Sequence, residues 1–484
     1  MFITRKPTNG STWILAILWV TFVITLGHAA SKPTDAKPPI PPDLSFISES
    51  IADEANAIYL WRRAAKVQKE LNDNLREIIT YAWQPESPIP NDEEQTAIKH
   101  WLEQNQEALR LMELSLKKPQ AKWLAQRGEE LQPELAALAQ LAKARAVIAD
   151  RHAALEKWDE AATLLEGNLR LAQIAIESEA ALLHYFLGSS VRTITHKAIL
   201  RLANHRNTPT NTLHRLLAAL PALDTETNAF ANSLRVEFTI YTYPTTDMNW
   251  FADAWSKREA RNLVSLMYDE EFQRPFMVLS DPGLVALHPK PYDELAALER
   301  VAATYRRYRT NVFSLWTNRF ESDEEAIEKL QTELLEAIEP LMKILKDDPL
   351  PLDQKGIAKA RKLYLSLTDP IGRILQCKNS FFSVDDVRVF KNRTEREAVR
   401  AILAAIIFER EKEHLPVSLK ELREAQLLAD SPWDFFANAP LNYSKEKRLI
   451  WSVGEDAEDD DGDGSVDAPW SGFDATWKIP TRIK

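Results

Sequence analysis

The chain has 484 residues, 45% of them hydrophobic, so it can bury a substantial core and is long enough for two or three domains. A net charge of −11 and a pI near 5.5 argue against a phosphate-backbone partner, which needs clustered Lys and Arg, and no nucleic acid is expected. Only 12 glycines, four of them after Trp451, leave little with which to build phosphate-cradling loops, and the single cysteine, Cys377, excludes an intramolecular disulfide.

The N-terminus predicts export. Arg5 and Lys6 precede an uncharged apolar run from Trp13 to Gly27, followed by small residues at Gly27 and Ala29. That pattern predicts a signal peptide over residues 1–29, cleaved after Ala29; retention as a single N-terminal transmembrane anchor is the alternative, and it would be the only contact with a membrane. The expected location is the periplasm or cell envelope. Residues 30–44 carry Pro33, Pro38, Pro39, Pro41 and Pro42 and predict an extended linker.

Residues 45–390 predict a helical body built as an antiparallel stack of helical hairpins. Leu60, Ala64, Val67, Leu71, Leu75, Ile78 and Ala82 recur at helical spacing and predict one helix ending before Pro85. A second is expected through Ile98, Leu102, Leu109, Met112 and Leu116, and a third from Leu131 through Ala142. Ser322 with Glu325 reads as a capping box ahead of another helix. The segment VEFTIYTYP, ending at Pro244, fits either a strand or the end of a helix. The aromatic group Tyr241, Tyr243, Trp250, Phe251, Trp255, Tyr268, Phe272 and Phe276 fits either core packing or a groove for a peptide or glycan.

Within Ala149 to Ile176, Trp158, Asp159, Glu160, Ala161 and Leu165 sit between two helical runs, and here the chain resembles a tetratricopeptide hairpin. Glu156 stands where that repeat usually has glycine, and no second copy follows at 34 residues, so a generic helical hairpin is the other reading.

No catalytic constellation is legible. The nine histidines have no metal-ligand spacing, and there is no nucleophile elbow, Walker loop or dinucleotide fingerprint. Acid pairs such as Asp159-Glu160 belong to helix starts. His184, on an apolar helix, reads as a core histidine.

Residues 391–484 predict a small α+β module. Thr394 with Glu397 reads as a capping box opening a helix through Ala398, Ile402 and Ile406. Three apolar runs follow, around Tyr443, Leu449 to Gly454, and Ala475 to Ile479, and predict a three-stranded antiparallel sheet. Leu415-Pro416-Val417-Ser418-Leu419, Asp430-Ser431-Pro432-Trp433, Pro440 to Tyr443 and Ser452-Val453-Gly454-Glu455-Asp456 come in the order of the globular tail of type II secretion major pseudopilins, which the last 70 or so residues resemble. Ser431 interrupts the D-P-W motif, while Asp434 and Ala457 replace glycines. The chain as a whole resembles large exported proteins of planctomycete and verrucomicrobial type that carry the same ending. Without a prepilin leader it is not expected to be a pilus subunit.

Between Glu455 and Asp474 lie nine acidic residues and no Lys or Arg. Asp459, Asp461 and Asp463 alternate before Gly464, as in the opening of a calcium loop, but the twelfth position is Trp470 rather than glutamate. The run fits either a solvated acidic loop or a Ca2+ site. The resemblance to pseudopilins implies calcium in this region, with Asp456, Asp459, Asp461, Asp463 and Asp467 as expected ligands. Together these readings predict a non-enzymatic envelope scaffold with a calcium-stabilised tail and one or more protein partners, with a secretion or surface assembly as the expected setting. A hydrolase acting on envelope polymers through a groove near Trp250 and Trp255 is the alternative.

Overall fold

The computed structural model describes residues 39–46, 51–69, 71, 73–81, 91–118, 120–122, 133–180, 182–220, 226–239, 294–311, 313, 314, 316, 362, 365, 366, 383–466, 469, 470 and 473–480. The signal segment, the Ser322 capping box, the aromatic group from Tyr241 to Phe276, Cys377 and Asp467 lie outside the described residues. Among the described residues the protein is mainly helical, with twelve α-helices, a two-stranded and a three-stranded antiparallel sheet. No helix among them is long and apolar enough to cross a membrane.

The proline-rich segment ends docked on the body. Pro41 and Leu44 are buried, and Arg306 holds the Asp43 carboxylate with two hydrogen bonds of 2.9 and 3.0 Å. That pairing outweighs burial and holds the Asp43 carboxyl below its usual range. Thr239 donates to the Leu44 carbonyl and Arg235 to that of Ser45.

The described part of the stripe from Leu60 forms two helices, α1 (Ala57–Val67) and α2 (Asp73–Tyr81), and this corrects the expected single helix. Gln68 is extended, and the backbone groups freed at the break are taken up elsewhere: Lys69 N–H donates to Asn105 Oδ1 and the Lys69 carbonyl accepts from Trp101 Nε1. The second expected helix also divides, into α3 (Asp92–Gln104) and α4 (Gln106–Ser115), at the buried Asn105. Helix α3 starts at a reciprocal cap between Asn91 and Glu94.

The centre is built from α5 (Pro133–Ala154), α6 (Trp158–Ile176), α7 (Leu182–Asn204), α8 (Thr210–Ala219) and α9 (Glu226–Glu237). The described part of VEFTIYTYP is therefore a helix end. Helices α5, α6 and α7 pack on one another, α1 lies against α4 and α5, and α8 lies on α6. The α5–α6 turn passes through Glu156 at φ 57, the position the tetratricopeptide pattern gives to glycine. Lys157 N–H closes the turn onto the His152 carbonyl at 2.8 Å. Trp158 is half-buried, edge-on to His205 with centroids 6.1 Å apart. His184 is fully buried on α7, and burial pushes its ring down to about 3, so it stays neutral.

Helix α10 (Glu294–Asn311) packs against α9, and α11 (Ser383–Lys412) joins the body to the tail. Position 390 thus lies inside α11. The expected capping box at Thr394 and Glu397 also falls mid-helix, because the Thr394 hydroxyl accepts from the backbone N–H of Phe435 in the tail rather than capping its own helix. Glu397 instead pairs with Arg400 at 2.8 Å. Helix α11 touches α7, α8 and α9 on the body side and α12 (Leu419–Glu424), β1 (Trp433–Asp434) and β4 (Leu449–Ser452) on the other. One hydrophobic core runs from Ala57 to Ile479. In the tail β1 pairs with β2 (Ala439–Pro440), and β4 lies between β3 (Asn442–Ser444) and β5 (Ala475–Lys478).

Candidate functional site

The acidic loop connects β4 to β5. Strand pairing sets Trp451 opposite both Asn442 and Thr476, and Ser452 opposite Ala475. The loop leaves β4 through Gly454 at φ 72, where a Cβ would come 2.2 Å from the Phe473 carbonyl oxygen. Only glycine fits there. Further along, a Cβ on Gly464 would lie 2.1 Å from the Asp474 carbonyl oxygen and 3.0 Å from the Thr476 side chain, so the loop is pressed onto the start of β5.

Of the expected ligands, Asp459 is engaged most. Its Oδ1 accepts from Trp451 Nε1 at 2.9 Å and from Asp461 N–H at 3.1 Å, and its Oδ2 accepts from Asn442 Nδ2 at 3.3 Å. Asp456 forms a local turn, accepting the Glu458 N–H at 3.2 Å. Asp461 and Asp463 are exposed, and the Asp461 carbonyl accepts from Lys447 Nζ at 2.7 Å. Among the described residues no three or more His, Cys, Asp or Glu side chains are grouped so that they could hold a metal ion.

Two residues that the sequence did not single out matter more to the loop's floor. Asp474 is fully buried, and its Oδ2 accepts the N–H groups of Gly462 at 2.7 Å and Asp460 at 3.1 Å. Its Oδ1 and the hydroxyl of the equally buried Thr476 have no hydrogen-bond partner. Burial pushes the Asp474 carboxyl up, and the charges of Asp459 and Asp460 push the same way against the Gly462 hydrogen bond. Strand alternation was the available signal: Asp474, just before β5, and Thr476 within it are two residues apart and share a face.

Asp434 ties the β1–β2 hairpin to the end of β4. Its Oδ1 accepts from Phe436 N–H at 2.9 Å and the Ser452 hydroxyl at 2.8 Å, and its Oδ2 from Val453 N–H at 2.9 Å. The residue that departs from the pseudopilin pattern is thus a buried structural acceptor. Around it, Trp316 of the body packs tilted on Phe390 of α11 and edge-on to Phe436 of the tail, with centroids 5.2 and 4.7 Å away. Trp316 Nε1 also donates to the Glu455 carbonyl at 2.9 Å, fixing the first residue of the acidic loop to the body.

No protein-family model, curated protein or solved structure matches this chain.

Proposed function

We propose that the protein is an exported, non-enzymatic scaffold of the cell envelope whose C-terminal module is stabilised by calcium and serves contact with protein partners. The observation that carries the calcium reading is the buried pair of oxygens under the acidic loop, Asp474 Oδ1 and Thr476 Oγ1, neither of which has a hydrogen-bond partner. A buried carboxylate oxygen without a donor is costly, and a hard cation removes that cost while offsetting the repulsion of the loop acids. Asp474 and Asp459 are the carboxylates that would hold the ion, with Asp456, Asp461 and Asp463 adding negative potential. Calcium would supply structural rigidity to the loop and no reaction step. The export half of the reading rests on the basic, then apolar, then small-residue pattern of residues 1–29.

The test is thermal and urea unfolding of the whole exported chain with calcium or with a chelator, at fixed ionic strength. At a calcium concentration 100 times its dissociation constant the gain should be about 2.7 kcal/mol, and Asp474→Asn should remove most of it. Equal stabilisation by sodium at matched ionic strength would reduce the loop to a solvated acidic segment.

A further inference from the structure

A single stretch of α11, Lys391 to Glu397, touches both the helical body and the tail. Toward the tail, Thr394 accepts the Phe435 N–H at 3.3 Å, and the Arg393 guanidinium lies 3.7 Å from the centre of the Phe435 ring. Lys391 pairs with Glu455 and sits 5.4 Å from the centre of the Trp470 ring. Trp470 in turn packs edge-on against Trp477 of β5 at 5.5 Å. Toward the body, the Glu395 carboxylate reaches α7, where its Oε1 is 3.3 Å from His196 Nδ1. The Trp470 side chain also bears on this carboxylate and helps to lower it. His196 and Glu395 are both buried, and His196 Nε2 has no hydrogen-bond partner.

We propose that His196, Glu395 and Trp470 form an acid-sensitive latch, in which protonation of His196 loosens the seating of the C-terminal module on the helical body. A neutral imidazole donates from Nδ1 to Glu395 and needs nothing at Nε2. Protonation puts a second N–H on Nε2, in a dry seam where no acceptor meets it. The charges bearing on the ring are Glu395 and Arg396 from α11 and Arg192 from its own helix. Of the other elements packed on α7, α6 contributes the neutral Gln173 amide, which accepts from Arg192 at 3.3 Å. Asp150 of α5 is engaged by Arg201 at 2.7 Å and lies 3.6 Å from His205, and Arg235 of α9 is held by the Ser45 carbonyl.

The direction of the effect follows from burial. Burial holds the His196 ring below its ordinary value of 6.5, against the pull of the Glu395 hydrogen bond. For Glu395 burial acts upward, but the His196 hydrogen bond and charge, with Lys197, outweigh it and leave the carboxyl lowered from 4.5. A ring depressed in the closed state stabilises that state above pH 6.5 and stops doing so as pH falls below it. The Glu395 contribution is lost only at lower pH, so the window from 6.5 to about 5 belongs to the histidine. His184 and His152 are also held down by burial, but neither is among the groups that bear on Glu395.

Hydrogen exchange of the whole chain at pH 7.5 and 5.5, corrected for the intrinsic rate, tests this. Peptides covering residues 428–453 should open several-fold more often at the lower pH, up to about tenfold, the ceiling set by one pH unit below 6.5, while peptides from α6 change much less. In His196→Gln, whose amide can still donate to Glu395, the tail peptides should lose that pH dependence. An equal rise in tail and α6 peptides, an unchanged rise in the variant, or no rise in the parent protein overturns the latch. Should the variant fail to fold, the ring signal of His196 in the parent decides by NMR titration: a midpoint below 6.5 is expected, and one at or above 6.5 overturns the proposal.

Discussion

Asp434 gives the sharpest stability prediction, because its partners are few and buried. Replacing it by alanine removes the acceptor for the N–H groups of Phe436 and Val453 and for the Ser452 hydroxyl. The hydroxyl can turn elsewhere, and its oxygen already accepts from Gly454 N–H at 3.2 Å. The two backbone donors cannot. At about 1 to 3 kcal/mol for each unsatisfied buried donor, Asp434→Ala should cost about 2 to 6 kcal/mol. Asp434→Asn should cost less: its oxygen keeps Phe436 and Ser452, its amide nitrogen faces the Val453 N–H, and a buried charge disappears. Burial pushes the Asp434 carboxyl up. A raised carboxyl favours the folded state most at low pH and loses that contribution as pH rises through its folded value. The alanine penalty should therefore be larger near pH 4 than at pH 7. Urea unfolding followed by tryptophan fluorescence reads the effect, since Trp316, Trp451, Trp470 and Trp477 all belong to this end of the core. A loss below about 1 kcal/mol would mean that the tail does not rest on this carboxylate.

Two further substitutions probe the α5–α6 hairpin by the same denaturation measurement. Trp158→Ala should cost about 1 to 2 kcal/mol, less than the 3 to 5 of a fully buried tryptophan, because the ring packs on the core and His205 but is only partly buried; a cost above about 3 kcal/mol would show that it is packed more tightly than the geometry says. Glu156→Gly should be neutral or stabilising by up to about 1 kcal/mol, since φ 57 strains a side chain but not glycine, and a clear destabilisation would mean that the Glu156 bond to Asn207 outweighs that strain.

How far the sequence carried depended on the range of the interaction. Periodicity found the helical stripes and the three strands, because both follow from local alternation of apolar residues. It missed the breaks at Gln68 and Asn105, where the chain leaves the helix without proline or glycine. Those breaks depend on Trp101, Asn105 and Lys69 bonding to one another across 32 and 36 residues. The Thr394 motif misled for a related reason: Thr-x-x-Glu is also compatible with a helix interior when the hydroxyl serves another segment. The proline-rich stretch showed nothing of the Asp43 pairing with Arg306, which lies 263 residues away. In the acidic loop the run of aspartates was plain, yet its most buried carboxylate, Asp474, stands at the far end of the run, just before β5.

Helix α11 explains why the division of the chain at position 390 was legible in texture but is not a structural break. The change in composition is real: among the described residues helices come before it, and short strands and an acidic loop come after. Yet the helix begins at Ser383, and within its first turns it presents Phe390 to Trp316, Thr394 to Phe435 and Glu395 to His196. At its far end Glu409 holds Arg448 of the tail through bonds of 2.8 and 3.0 Å, while Arg410 donates to the Thr208 carbonyl of the body. Both ends of one helix thus bind both parts. A tail cut free at residue 391 would keep most of this helix but lose the packing of α7, α8 and α9 against it, exposing apolar residues such as Ile402 and Ile406 that lie in the shared core. The calcium and latch experiments therefore need the whole chain, and a cation bound in the loop would be felt in the body through Glu455 and Trp316.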